Sequence, residues 1–116
     1  MNAILRANVI AGISVAGLLL GVCGEARAVD ATAAQALARQ SNCFKCHAVD
    51  KKKEAPAWKD VAAKYKGKAD AEARLIKHLT SGPKVKFEDG HEEEHPMVKS
   101  KNADDIKNLA DWILSL

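Results

Sequence analysis

The chain has 116 residues, 28% of them charged, and a formal net charge of +3 at pH 7. That length makes one small domain with a modest apolar core, and 18 basic against 15 acidic side chains give no ground for a bulk polyanion partner such as nucleic acid. Three cysteines, only two of them close together, exclude a disulfide-rich scaffold.

At the N-terminus a single charge, Arg6, precedes an apolar run from Val9 to Val22, and Ala26-Arg27-Ala28 has the small-x-small pattern of a signal peptidase site. Residues 1–28 are therefore expected to be a secretory signal peptide cut after Ala28, leaving residues 29–116 as one domain in the periplasm. A retained membrane anchor is the competing interpretation, but the run falls short of the roughly 20 residues a span needs. Leu20-Gly21-Val22-Cys23 raises a lipid-modified terminus. A small residue is expected just before such a cysteine and Val22 fits poorly, so Cys23 is assigned to the discarded peptide. No stable membrane insertion is expected after cleavage.

Asp30 to Ser41 is alanine-rich, with Ala34, Leu37, Ala38 and Ser41 on one helical face. This helix delivers Cys43-Phe44-Lys45-Cys46-His47, the Cys-x-x-Cys-His spacing of c-type haem attachment. Two thiols a turn apart can each add to a vinyl group of one porphyrin, and the next residue presents an imidazole to the iron. A dithiol redox site would expect a βαβ context and needs no histidine. A zinc site would want a second Cys/His pair, and the only further cysteine is Cys23. Export supports haem, because bacteria attach it covalently outside the cytoplasmic membrane. A bound porphyrin also supplies core that a short chain lacks, and Phe44, Trp58, Tyr65, Phe87 and Trp112 are available to pack near it.

Ala48 to Pro56 is a lysine-rich loop, and Trp58 to Tyr65 a short helix with Trp58, Val61, Ala62 and Tyr65 on one side, closed by Lys66-Gly67. Asp70 is placed to cap a helix over Ala71 to Thr80, which Ser81-Gly82-Pro83 ends. Lys84 to Lys101 shows neither helical nor alternating periodicity and reads as a long loop. Asn102 caps a last helix with Asp104 and Asp105 in its first turn and a stripe of Ile106, Leu109, Ala110, Ile113 and Leu114. There is no strand signal, internal repeat or nucleotide loop.

The iron of a carrier needs a sixth ligand. Met97, the only methionine after Met1, follows Pro96 in an extended segment, and a thioether there is the preferred candidate over His78, His91 and His95. Ordinary packing is the competing role for Met97. His91-Glu92-Glu93-Glu94-His95 formally matches the zinc-protease signature, which works only on a helix. Gly90 before it and Pro96 after it leave room for a single turn, so a solvated acidic loop is expected.

Four segments in order resemble the small bacterial class I cytochromes c of the c551/c552 type. They are Cys43 to Asp50, Ala55 to Gly67, Pro96-Met97, and Leu109 to Ser115. The resemblance implies an all-α class I cytochrome c fold of about four helices around one haem c. Cys43 and Cys46 would form the thioethers, and His47 and Met97 would be the axial ligands. Pro56 would offer its carbonyl to the proximal imidazole N–H. Ala55 stands where the family often has glycine, Val98 where a second proline is usual, and Phe87 near a tryptophan that often donates to a propionate. His78 or Arg74 is the substitute donor, and the stretch 88–95 looks inserted.

The implied function is that of a periplasmic one-electron carrier rather than an enzyme, probing no substrate and serving a redox-protein donor and acceptor as a monomer. Lysines 45, 51, 52, 53, 59, 84, 86, 99 and 101 would border the haem and steer an acidic partner, or serve solubility alone. The alternatives are a haem protein with an open or displaceable distal site, for sensing or catalysis, and the cytochrome subunit of a larger oxidoreductase.

Overall fold

The computed structural model describes residues 27–116. The apolar run and Cys23 of the expected signal peptide lie outside the described residues.

Helix α1 (Ala31–Gln40) begins where Asp30, in extended conformation, accepts the Ala33 N–H on its carboxylate at 2.9 Å. Beyond Ser41 the chain turns through Asn42 at φ 59°, a left-handed conformation that asparagine tolerates, into a 3-10 turn over Cys43–Lys45. Helix α2 (Trp58–Tyr65) and helix α3 (Ala71–Ser81) follow, the latter ending on Gly82 at φ 58°. Helix α4 (Ala103–Leu114) is capped by Asn102, whose side chain accepts from Asp104 N–H at 2.9 Å and Asp105 N–H at 3.4 Å.

The core forms where α1, α2 and α3 each meet α4. Leu109 and Ala110 of α4 are fully buried, and α1 brings Ala34 and Ala38 against them, small side chains that permit a close helix crossing. Trp58, Leu75, Leu79, Trp112 and Ile113 complete the cluster. A latch closes the ends: Asp30 N–H donates to Asn108 Oδ1 at 2.9 Å, and Asn108 Nδ2 donates to the Asp30 carbonyl at 2.9 Å.

Three local expectations need correction. The segment expected to be a loop without strands contains β1 (Lys84–Lys86) and β2 (Glu92–Glu94), paired antiparallel with Lys84 opposite Glu94, Val85 opposite Glu93 and Lys86 opposite Glu92. Two of the three facing pairs are opposite charges and Val85 is the one apolar residue, so the alternation that marks a half-buried strand is missing. Gly90, at φ 91°, helps close the turn, with Phe87 N–H bonded to His91 O at 2.9 Å. Asp70 does not cap α3; its carboxylate holds Arg74 Nε at 2.6 Å instead. In α4 the buried set includes Trp112, whereas Leu114 is half-buried.

Candidate haem-attachment site

The 3-10 turn after α1 holds Cys43 and Cys46 as free, half-buried thiols. His47 N–H reaches back to Cys43 O at 3.0 Å, so the pentapeptide is one compact turn. Burial raises the Cys43 thiol pKa; burial and then the Glu54 carboxylate, 3.7 Å from Cys46 Sγ, raise that of Cys46. Dithiol redox sites depend on a lowered thiol pKa. Both shifts here run the other way, against that alternative.

The loop after the turn folds back on it. Ala55 N–H donates to Cys46 O at 3.0 Å, Trp58 N–H to Ala48 O at 2.9 Å, and Lys53 Nζ to Phe44 O at 2.6 Å. This return places the Pro56 carbonyl 2.7 Å from His47 Nδ1. A carbonyl can only accept, so Nδ1 carries the proton and Nε2 keeps its lone pair. That is the arrangement of a metal-ligating histidine with its second nitrogen fixed by a backbone oxygen. Burial, opposed by this bond, lowers the His47 pKa and favours the neutral ring. The ring stacks on Trp58 at 5.4 Å between centroids, and Trp58 meets Phe44 and Trp112 edge-on at 4.9 and 5.3 Å.

The hairpin exit brings residues 95–97 to this region. His95 N–H donates to Pro83 O at 2.8 Å and Val98 N–H to Leu79 O at 2.9 Å, bracketing Met97. The Met97 side chain is 59% exposed, the most exposed of the large apolar side chains among the described residues. A Cβ at Gly82 would lie 3.5 Å from Met97 Cγ, so the methionine runs close past the end of α3.

The rival histidines separate clearly. His91 stacks on Phe87 at 4.3 Å on the hairpin and is held by Asp89 and Glu93. The segment between His91 and His95 is a strand, so the zinc-protease geometry is absent, and no group of three metal-capable side chains occurs among the described residues. His95 lies 6.2 Å from the His47 ring and 4.3 Å from the His78 ring. Burial, then the neighbouring His78 and His47, pushes the His95 pKa down to about 4. Its Nδ1 is buried without a hydrogen-bond partner among the described residues.

These residues fit a covalently bound haem. Two protonated thiols flank a turn, a histidine has its outer nitrogen free, the Met97 thioether is uncovered, and the His95 ring with its orphaned Nδ1 lies 6.2 Å from that of His47. Of the two donors expected for a propionate, Arg74 is occupied by Asp70 while His78 faces His95. The central place of His95 was not evident from sequence, where it was one of three rival ligands. Glu54 carried no motif, and Ser41 and Gly82 were read only as a helix-face residue and a helix stop, with no link to the site.

The Cytochrome c family model matches residues 31–116. The chain is 37% identical to cytochrome c-551 of Pseudomonas aeruginosa over 84 residues, 70% of this chain and 74% of that protein. It is 42% identical to cytochrome c-552 of Nitrosomonas europaea over 80 residues, 69% of this chain and 75% of that one. Among solved structures it is similar to the class 1 cytochrome MtoD from Sideroxydans lithotrophicus ES-1. There the TM-score is 0.73 at 64% identity, covering 76% of this chain and 97% of that one. The Nitrosomonas europaea cytochrome c552 structure is similar with a TM-score of 0.55 at 37% identity, covering 70% and 96%.

Proposed function

The chain belongs to the cytochrome c family, and from that premise we propose an exported shuttle protein whose haem is held by Cys43 and Cys46 with His47 and Met97 as axial ligands. At the coarser level it is a small class I c-type cytochrome with one covalent haem c, an electron-transfer protein rather than an enzyme. The observation that carries the ligand assignment is the 2.7 Å bond from His47 Nδ1–H to the Pro56 carbonyl, which leaves Nε2 as the ligating nitrogen.

When bound, the haem supplies a one-electron Fe(II)/Fe(III) couple. Cys43 and Cys46 anchor it through thioethers, and the rigid turn keeps their spacing constant. Pro56 fixes the tautomer and plane of His47, and Trp58 braces the ring from behind. Met97, held by its bracketed loop, offers a thioether, the ligand type that raises the potential relative to a second histidine. With Arg74 held by Asp70, His78 would be the side chain left to donate to a propionate. With His47 and Met97 both held by neighbouring backbone hydrogen bonds, little of the protein would have to move during electron transfer.

Export with cleavage after Ala28 is supported by the Asp30–Asn108 latch, which starts two residues beyond the cut. Among the described residues, cleavage would cost the exposed Arg27–Asp104 pair at 3.8 Å, a kind of contact worth about 0–1 kcal/mol. No helix among the described residues is long and apolar enough to cross a membrane. The partners are a redox-protein donor and acceptor, met by a monomer. The mass of the protein from the periplasmic fraction tests this: a start at Val29 plus one haem is expected, and an intact N-terminus would overturn it.

A visible spectrum and redox titration test the ligand set. A low-spin six-coordinate spectrum with the red methionine-to-iron band is expected, and Met97→His should keep the haem and lower the potential. A second reading, with His95 as the distal ligand, is favoured by its ring lying 6.2 Å from that of His47. In that case Met97→Ala would leave both spectrum and potential unchanged.

A further inference from the structure

We infer that Ser41 is the positioning residue for the distal methionine, tying the loop that carries Met97 to the end of the helix that leads into the haem-binding turn. This rests on Met97 being the distal ligand. Ser41 is the only buried polar side chain among the described residues, 3% exposed, and it sits two positions before Cys43. Its hydroxyl oxygen accepts the Lys99 N–H at 2.9 Å, a bond spanning 58 residues of chain and landing two positions after Met97.

Three hydrogen bonds hold the backbone around Met97. His95 N–H goes to Pro83 O, Val98 N–H to Leu79 O, and Lys99 N–H to Ser41 Oγ. The first two fasten the loop to α3 and the residues after it. The third alone reaches α1, and it alone is supplied by a side chain. Ser41 therefore links the two halves of the ligand set: whatever moves the end of α1 moves the cysteines and the methionine loop together. An alanine stripe would have served α1 equally well at this position, since Ala34 and Ala38 pack on the same face. A hydroxyl in that stripe has no packing advantage, and its partner is the methionine loop.

Without the hydroxyl the Lys99 N–H is left part-buried and unpaired, and the loop gains by moving outward to water. With haem bound, Met97 would then be held at the iron less of the time, and an added ligand would compete more easily. Its apparent affinity rises by the same factor as the open fraction.

The test compares imidazole binding to the ferric holoprotein in the wild type, Ser41→Ala, Ser41→Thr and Asp30→Ala. Asp30→Ala removes the cap at the far end of α1 and controls for general loss of stability. Ser41→Ala should bind imidazole about tenfold more tightly, the order set by one unpaired part-buried N–H, and its red methionine band should fade at lower temperature. Ser41→Thr should restore most of both, and Asp30→Ala should leave the affinity unchanged. If Ser41→Ala binds imidazole no more tightly than Asp30→Ala does, the inference is wrong. Met97→Ala separates the premise: if it neither abolishes the red band nor raises imidazole affinity, the methionine is not the ligand and the Ser41 assignment falls with it.

Discussion

At the scale of single residues, the site is a set of side chains whose chemistry is settled by one neighbour each. The Pro56 carbonyl decides which nitrogen of His47 holds the proton, so the Nδ1–H of the reduced protein should give a slowly exchanging NMR resonance. Its absence would mean the opposite tautomer. Gly82 makes a comparable decision for Met97. At φ 58° an added Cβ would also meet His95 O at 3.4 Å and Met97 Cγ at 3.5 Å. Gly82→Ala is expected to cost about 1–2 kcal/mol for the left-handed backbone and to weaken the red methionine band. Gly82→Asn should recover part of the stability, because asparagine tolerates that backbone, but not the band. Urea titration and the visible spectrum separate the two effects. Motif spacing or resemblance singles out Cys43, Cys46, His47, Pro56 and Met97 in the sequence. It does not give Ser41, Gly82 or His95 their place, since a hydroxyl, a glycine or a histidine gains its role only from what folds against it.

At the scale of elements, end signals were the most readable feature. Asn102 was placed as a cap and accepts two N–H groups of the first turn of α4. Asn102→Ala should cost about 1 kcal/mol in denaturant titration. Asp70 had the same credentials and does not cap, because Arg74 one turn later competes for its carboxylate. The hairpin was the least readable element, since its strands pair lysine with glutamate and leave no apolar alternation. Its turn is expected to respond to pH. The hydrogen bond that the His91 ring donates to Asp89, with a smaller contribution from Glu93, raises the His91 pKa above the usual 6.5. A raised folded value means the stabilising contact is complete below 6.5 and is lost as pH rises through the folded value. Amide exchange over residues 84–94 should therefore quicken with pH beyond its intrinsic dependence across that range. Asp89→Asn should return the His91 NMR titration towards 6.5 and abolish the effect.

For the molecule as a whole, stability depends on α4, the one element that meets all the other helices. Leu109 is fully buried at its centre, so Leu109→Ala should lose roughly 2–5 kcal/mol, a large share for a domain of this size. Loss below about 1 kcal/mol in thermal unfolding of the holoprotein would show the haem, rather than α4, to be the main support. The charge pattern bears on partners. Lys52 pairs with Glu88 and Lys59 with Asp50, and the hairpin lysines stand opposite Glu94 and Glu92. Two of the nine expected rim lysines are thus ion-paired and two more face glutamates across the strands. Electron exchange with a redox partner should accordingly respond to salt far less than the roughly 10- to 1,000-fold of strongly steered pairs, which stopped-flow rates across ionic strength would measure.

The sequence by itself determined the cofactor chemistry, the helical body and where most helices end. Those depend on short-range facts: two thiols and an imidazole within five residues, apolar residues at helical spacing, and caps acting on the next turn. Only the tertiary structure decided which nitrogen of His47 is free, which histidine lies beside it, that lysines and glutamates form a hairpin, and that Ser41 reaches the methionine loop. Each depends on groups distant in sequence meeting at a particular angle, and side-chain identity along a chain does not encode that meeting until the core has closed around α4.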